Sequence, residues 1–277
     1  MAVSSEIVIK SEGLVTVRRF QDEKTISMFD LMNILTRENS LVTPILPSGT
    51  KGIACKGNSF LIVIEEQPGL RTISFRYFSD ESRARRLINL LLYFPWTYHF
   101  ILGSLSPIVI RTMSTSFSTK RVMWEDDKIG HMTVPNLNPP DSSGSATWCY
   151  GNIDLGEPAR QSFTLNEAIT KLIASIWGSE FNQDIFPTAL RLDAIVSEFR
   201  KTKEIQEDLE NATGSNKEFL TALTTTKSDI LKYLYWWRKK SSLSPSERDK
   251  VFALKYEKPY KEVLQSFLTE GDDDGGF

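Results

Sequence analysis

The chain reads as an α+β protein: short strands fill its first part, helices fill its last, and a proline- and serine-rich loop with a single cysteine stands at the junction. Three observations set that order. Apolar residues across 52–78 fall into short runs separated by Lys56-Gly57-Asn58 and by Gln67-Pro68-Gly69, both strong turn chemistry. Two helix-start signatures, Thr164-Leu165-Asn166-Glu167 and Ser244-Pro245-Ser246-Glu247, come late in the chain, the second with proline at the favoured first helical position. Between these regions, prolines at 135, 139 and 140 break regular patterning.

Taken in order, Ile7 and Ile9 alternate with polar neighbours, and 14–20 follows after Glu12-Gly13, which predicts a short hairpin. Phe29, Met32 and Leu35 recur at helical spacing after Ser27, predicting a helix over 28–37. Pro44, Pro47 and Gly49 end it and open strands at 52–55, 59–65 and 71–78. In the section 83–103, the first half, 83–92, reads as a helix that Pro95 stops, and the aromatic run after it favours a strand at 98–102. A further strand is expected at 106–113. Patterning then fades from Ser114 to Thr147, a length of loop that tends to be functional.

Beyond the cysteine, Leu165, Ile169, Leu172, Ile173 and Ile176 line one face of a helix over 164–177. After a break at 179–187, Leu192, Ile195, Val196, Phe199, Ile205 and Leu209 give a second helix, interrupted by Gly214. Phe219, Leu223, Ile230, Leu234 and Trp237 give a third, and the second capping box opens a fourth through Val251 and Leu254. The expected division is an α+β domain over 1–187, a helical extension over 188–269 and a tail over 270–277.

Composition bounds the function. The 277 residues are 40% hydrophobic and 25% charged, as in ordinary globular proteins, and supply ample material for a core. A net charge of −2 gives no pull toward nucleic acid, and direct nucleic-acid binding is not expected. Cys55 and Cys149 make no disulfide framework, and the N-terminus lacks a basic start followed by an apolar stretch. The most apolar stretch, 87–102, is broken by Asn89, Pro95 and His99, so no membrane span is expected. These features predict a cytoplasmic protein. His99, His131, Cys55 and Cys149 form none of the close pairs that zinc sites use, and no Gly-rich phosphate loop is present, so neither metal nor cofactor is expected.

Cys149 is the candidate nucleophile. A thiol becomes a catalyst when it is exposed and when neighbours stabilise the charge it creates. The Pro/Ser/Gly loop supplies the exposure, and Asn136 carries an amide donor suited to a developing oxyanion. The alternative is a small hydrophobe buried beside Trp148. A dyad of Cys149 with His99 or His131 is a further arrangement that the sequence leaves open. The cluster from Lys232 to Lys240 mixes aromatics with cations, but Leu234 and Trp237 fall on the apolar stripe and the cations suit a helix C-terminus. The tail over 270–277 is acidic, reads as disordered, and resembles the partner-recruiting tails of single-stranded-DNA-binding proteins. A solubilising tail is the alternative.

The segment from about 40 to 187 resembles the ubiquitin-conjugating-enzyme fold, in particular the bacterial conjugating-enzyme-like family called PRTRC system protein B. The strands at 60–65 and 71–78 lead to Phe94-Pro95-Trp96 and the strand at 98–102. Pro135-Asn136, the Gly144 loop and Trp148-Cys149-Tyr150-Gly151 follow in the family's His-Pro-Asn, Gly, Cys order. Ser179-Glu180-Phe181-Asn182 resembles the segment that follows the family's cysteine. The resemblance implies an antiparallel meander sheet with flanking helices, and Cys149 carrying a ubiquitin-like protein as a thioester received from an activating enzyme. Asn136 would steady the oxyanion when a lysine attacks. Val134 stands where the family has histidine, and the interval from Asn136 to Cys149 is longer than the family's. Asp154 and Glu157 are candidates, by proximity, for orienting the lysine. The alternatives are an inactive interaction or structural protein of this fold from a phage or plasmid system, whose extension or tail binds other proteins, and a replication accessory protein.

Overall fold

The computed structural model describes residues 5–9, 14–19, 22–27, 46–56, 58–78, 85–105, 108–138, 145–149, 164–182, 202–225, 229–244, 247–248 and 254–270. Strands β1 (Ser5–Ile9), β2 (Leu14–Arg19) and β3 (Asp22–Ser27) form a small antiparallel sheet, with Ile7 opposite Val17 as a hairpin across Glu12-Gly13 requires. The third strand was not expected. The helix predicted over 28–37 lies outside the described residues.

The main sheet is built from β4 (Thr50–Lys56), β5 (Ser59–Glu66), β8 (Trp96–Leu105), β9 (Ile108–Ser118), β10 (Lys128–His131) and β13 (Lys255–Pro259), side by side in the order β13-β10-β9-β8-β5-β4. The short β11 (Ala146–Thr147) joins the same edge of β9 as β10, beside Thr115 and Ser114. All these pairings are antiparallel. After β5 the chain leaves the sheet as a second hairpin, β6 (Gly69–Phe78) and β7 (Arg85–Phe94), and returns at β8. The expected meander is therefore interrupted by a hairpin that forms its own small sheet, which β12 (Glu180–Phe181) joins in parallel.

The sequence of β5 explains why this sheet sits in the middle of the molecule. Its run Phe60-Leu61-Ile62-Val63-Ile64 is apolar without alternation, and every one of these residues is buried. A strand covered on both faces reads that way. Phe60, Ile62 and Ile64 enter one core together with the β6–β7 hairpin, whereas Leu61 and Val63 enter a second core with Tyr98, Phe100 and the last helix.

Five described helices complete the molecule: α1 (Leu165–Gly178), α2 (Thr202–Asn211), α3 (Gly214–Thr225), α4 (Asp229–Ser241) and α5 (Tyr260–Glu270). The expected capping box starts α1, where the Thr164 hydroxyl accepts the Glu167 N–H at 3.2 Å. In the second box the Glu247 carboxylate accepts the Ser244 N–H at 3.2 Å. Helix α4 closes the free edge of β7 with side chains. The Trp237 indole donates to the Tyr93 carbonyl at 2.8 Å, and the Ser241 hydroxyl accepts the Tyr93 N–H at 2.8 Å. Two backbone groups of an edge strand are thereby satisfied without a neighbouring strand.

Four expectations need correction. The segment expected to be helical at 83–92 is strand β7 from Arg85 on: Ile88, Leu90 and Leu92 alternate inward while Leu87 and Leu91 point out. The segment 188–269 is not purely helical, because β13 pairs with β10 and α5 then packs on the second core through Val263 and Phe267. The third expected helix is two, α3 and α4, and Leu254 leads directly into β13. Of the positions expected on the helical stripes, Phe219, Leu223, Ile230, Leu234 and Trp237 are all buried; Leu192 and Phe199 lie outside the described residues. The tail at 271–277 does too. No described helix is long and apolar enough to cross a membrane.

Candidate functional site

Pro135 and Asn136 occupy the two central positions of a tight turn closed by the Leu137 N–H and the Val134 carbonyl at 3.1 Å. Proline pre-sets the first position, and asparagine tolerates the positive φ of 64° at the second, as a type II turn requires. The turn points the chain back along the cysteine segment. Leu137 bridges Trp148 antiparallel, and the Cys149 N–H donates to the Asn136 carbonyl at 2.6 Å. A second rung joins the Asn138 N–H to the Thr147 carbonyl at 2.9 Å. Thus the two sequence candidates, thirteen positions apart, are backbone neighbours.

The Asn136 side chain is oriented by a third segment. Its Oδ1 accepts the Asn182 N–H at 3.0 Å and its Nδ2 donates to the Glu180 carbonyl at 3.3 Å. A backbone N–H can meet only the oxygen and a carbonyl only the nitrogen, so the amide orientation is fixed by chemistry. Arg76 pairs with Glu180 across the same place, tying β12 to β6. Of the two hydrogens on Nδ2, Glu180 takes one.

Cys149 is half-buried and retains surface. Cys55, on β4, also keeps some exposure. Burial pushes the Cys55 thiol up to about 11, which leaves it protonated at neutral pH. Val134, at the position where the resembled family has histidine, is fully buried. Asp154, Glu157, Gly144, Pro139 and Pro140 lie outside the described residues.

Directly behind Cys149 is a polar cluster that sequence reasoning missed. Its parts come from strands β5, β6, β8 and β9, from helix α1 and from Trp148 in the cysteine segment. In the β8–β9 register His99 faces Thr115, and in the β5–β8 register Glu66 lies two residues beyond the partner of His99, on the same face. His99 Nε2 meets Glu66 Oε2 at 2.8 Å and Nδ1 meets Thr115 Oγ1 at 2.9 Å. The Trp148 indole donates to Thr115 Oγ1 at 2.7 Å. Glu66 also accepts the Trp177 indole N–H at 3.0 Å and pairs with Arg71 at 3.2 Å, while the Arg71 guanidinium lies 4.5 Å from the Trp177 ring centre. His99 and Thr115 are fully buried. Burial alone would raise the Glu66 carboxyl, but the hydrogen bond from His99, the charge of Arg71 and the Trp177 indole outweigh it and hold the group below the usual carboxylate range.

Two chemical readings of the cluster can be set aside. His99 commits both ring nitrogens to Thr115 and Glu66, so it is not a base for Cys149. Glu66, His99 and Thr115 have the acid–imidazole–hydroxyl order of a hydrolase triad, but the hydroxyl is sealed from solvent and already accepts the Trp148 indole. Around the cluster, Trp148 packs edge-on against Trp177 at 5.8 Å and Phe181 at 6.0 Å, and Phe94 contacts both Trp177 and Trp237 at 4.9 Å. Aromatic packing and hydrogen bonds together fix the residue immediately before the cysteine. The only sequence-level hint was the polar Glu66 and His99 within otherwise apolar strands.

Among the described residues no group of histidine, cysteine and acidic side chains is arranged to hold a metal ion. No known protein family, curated protein or solved structure matches the chain.

Proposed function

We propose that the protein is a ubiquitin-conjugating-enzyme-like carrier whose Cys149 holds the C-terminus of a ubiquitin-like protein as a thioester. The observation that supports this reading is the hydrogen bond from the Cys149 N–H to the Asn136 carbonyl, which makes the residue with a partly exposed thiol a backbone neighbour of the residue with an oriented amide. In the loading step the Cys149 thiolate attacks the carbonyl of an incoming thioester. A new C–S bond forms, the old one breaks, and the departing thiolate takes up a proton. In the unloading step a lysine amine attacks the same carbonyl, loses a proton and expels the Cys149 thiolate, giving an amide. The second hydrogen on Asn136 Nδ2 serves the oxyanion of each tetrahedral intermediate. The partners are a ubiquitin-like protein and its activating enzyme.

Ubiquitin carrying a C-terminal mercaptoethanesulfonate thioester tests this without knowledge of the natural modifier. The expected product is a thiol-labile adduct that Cys149→Ala abolishes and Cys55→Ala preserves. Asn136→Ala should slow discharge to free lysine on the order of 100-fold. An adduct confined to Cys55, or none at all, would retire the carrier reading.

A second reading, an inactive interaction platform of the same fold, is favoured by the use of both ends of the Asn136 amide on the backbone of Glu180 and Asn182. In that case Asn136→Ala loosens the 180–182 segment and leaves no transfer chemistry to lose.

A further inference from the structure

The hydrogen-bond donors and acceptors behind Cys149 permit only one direction. Tryptophan can only donate, so Trp148 gives its indole proton to Thr115 Oγ1. An ionised carboxylate can only accept, so Glu66 takes the proton of His99 Nε2. That leaves His99 Nδ1 as an acceptor facing the Thr115 hydroxyl, and the hydroxyl proton points to it. The protons therefore run from Trp148 to Thr115 to His99 to Glu66, where Arg71 from β6 and the Trp177 indole from α1 balance the carboxylate. His99 and Thr115 are without access to water, so the other neutral tautomer would set the Nε2 lone pair against the Glu66 carboxylate and leave the Thr115 hydroxyl proton without the ring as its acceptor.

We propose that this directional chain makes His99 a positioning residue for Cys149: the neutral imidazole, protonated on Nε2, holds Thr115, Thr115 holds the Trp148 indole, and Trp148 fixes the strand that carries the thiol. The inference deepens the carrier reading and rests on it for the importance of Cys149, although the chain itself does not. Protonating Nδ1 would turn the ring into a donor toward Thr115. The hydroxyl oxygen would then accept two protons while its own proton lost its acceptor in a closed interior. The charged groups facing His99 are Glu66 and, through it, Arg71.

Nitrogen-15 spectra of the histidine rings of the full chain, together with the rate of Cys149 alkylation by iodoacetamide, test the proposal without any modifier. At neutral pH His99 should show a protonated Nε2 and a hydrogen-bonded, unprotonated Nδ1. Thr115→Val, which keeps the shape and removes the hydroxyl, should raise Cys149 alkylation about tenfold as the strand opens more often, and Thr115→Ser should restore the parent rate. Should Thr115→Val fail to fold, Trp148→Phe keeps the aromatic packing, removes the donor and should give a similar increase. An Nδ1-protonated ring, an imidazolium at neutral pH, or alkylation unchanged in both variants overturns the proposal. Failed thioester loading with the tautomer and alkylation results intact would instead sink the carrier reading and leave this one standing.

Discussion

The two faces of the main sheet are closed by different chemistry. On one face Leu61, Val63, Tyr98 and Phe100 meet Tyr260, Val263 and Phe267, and Phe100 stacks on Phe267 at 4.9 Å. Polar groups stay at the rim, where the Tyr98 hydroxyl accepts the Val122 N–H at 2.8 Å and donates to Glu65, itself paired with Arg121 and Lys51. On the other face the same strands bury Glu66, His99 and Thr115 among Ile62, Ile64, Ile101 and Met113. Hydrocarbon alone closes the first face well, so the polar set on the second is not demanded by the sheet. Buried polar chains gain little net stability over apolar packing, but they fix one arrangement. The face that needs one arrangement is the one behind Cys149.

Mutation can break that contrast. The largest effect is expected for Phe267→Ala, about 3–5 kcal/mol lost from the apolar face, with little difference between pH 7 and acid pH because the ring it stacks on, Phe100, does not titrate. Paired urea titrations at the two pH values read both parts. Next is Glu66→Gln, expected to cost about 2–3 kcal/mol near neutrality. Here the sign of the pH dependence is fixed. The folded carboxyl is held below its unfolded value, so the unfolded chain takes up the proton first as pH falls. The Glu66 contribution is complete above about pH 5 and fades toward pH 2, so wild type and Glu66→Gln should converge in acid. A gap between them that stayed constant down to pH 2 would mean that Glu66 carries no pairing worth its burial. The smallest effect is Thr164→Ala, about 1 kcal/mol for the lost cap of α1, seen as a small melting shift with the cysteine chemistry unchanged.

Local signals in the sequence were legible where the physics is local. The turns after β4 and β5, the capping boxes, and the Pro135-Asn136 turn all follow from single residues whose conformational demands do not depend on distant partners. Strand β7 was misread because Leu87 and Leu91 fill outward positions and hide the period of two in a run of leucines. Strand β13 has no apolar alternation to announce it; pairing with β10 makes it a strand. The polar chain behind Cys149 was out of reach for a different reason. Glu66, His99, Thr115 and Trp148 are separated by 33, 16 and 33 positions, and only strand register brings them together. Thr115, moreover, fell in a stretch that reads as patternless.

The pairing of β10 with β13 sets a timetable for synthesis. Lys128 waits for Pro259, 131 positions later, and the Leu61–Val63–Tyr98–Phe100 surface waits for α5 immediately beyond it. While the ribosome makes the intervening residues, that surface has no lid, and the strands beneath it can offer apolar side chains to any neighbouring nascent chain. Such distant closure also slows folding, since a long loop must be drawn in before its contacts count. Cells producing this protein therefore carry, for the span of each round of translation, a half-covered sheet that only its last-made strand and helix can retire from the reach of chaperones and aggregation.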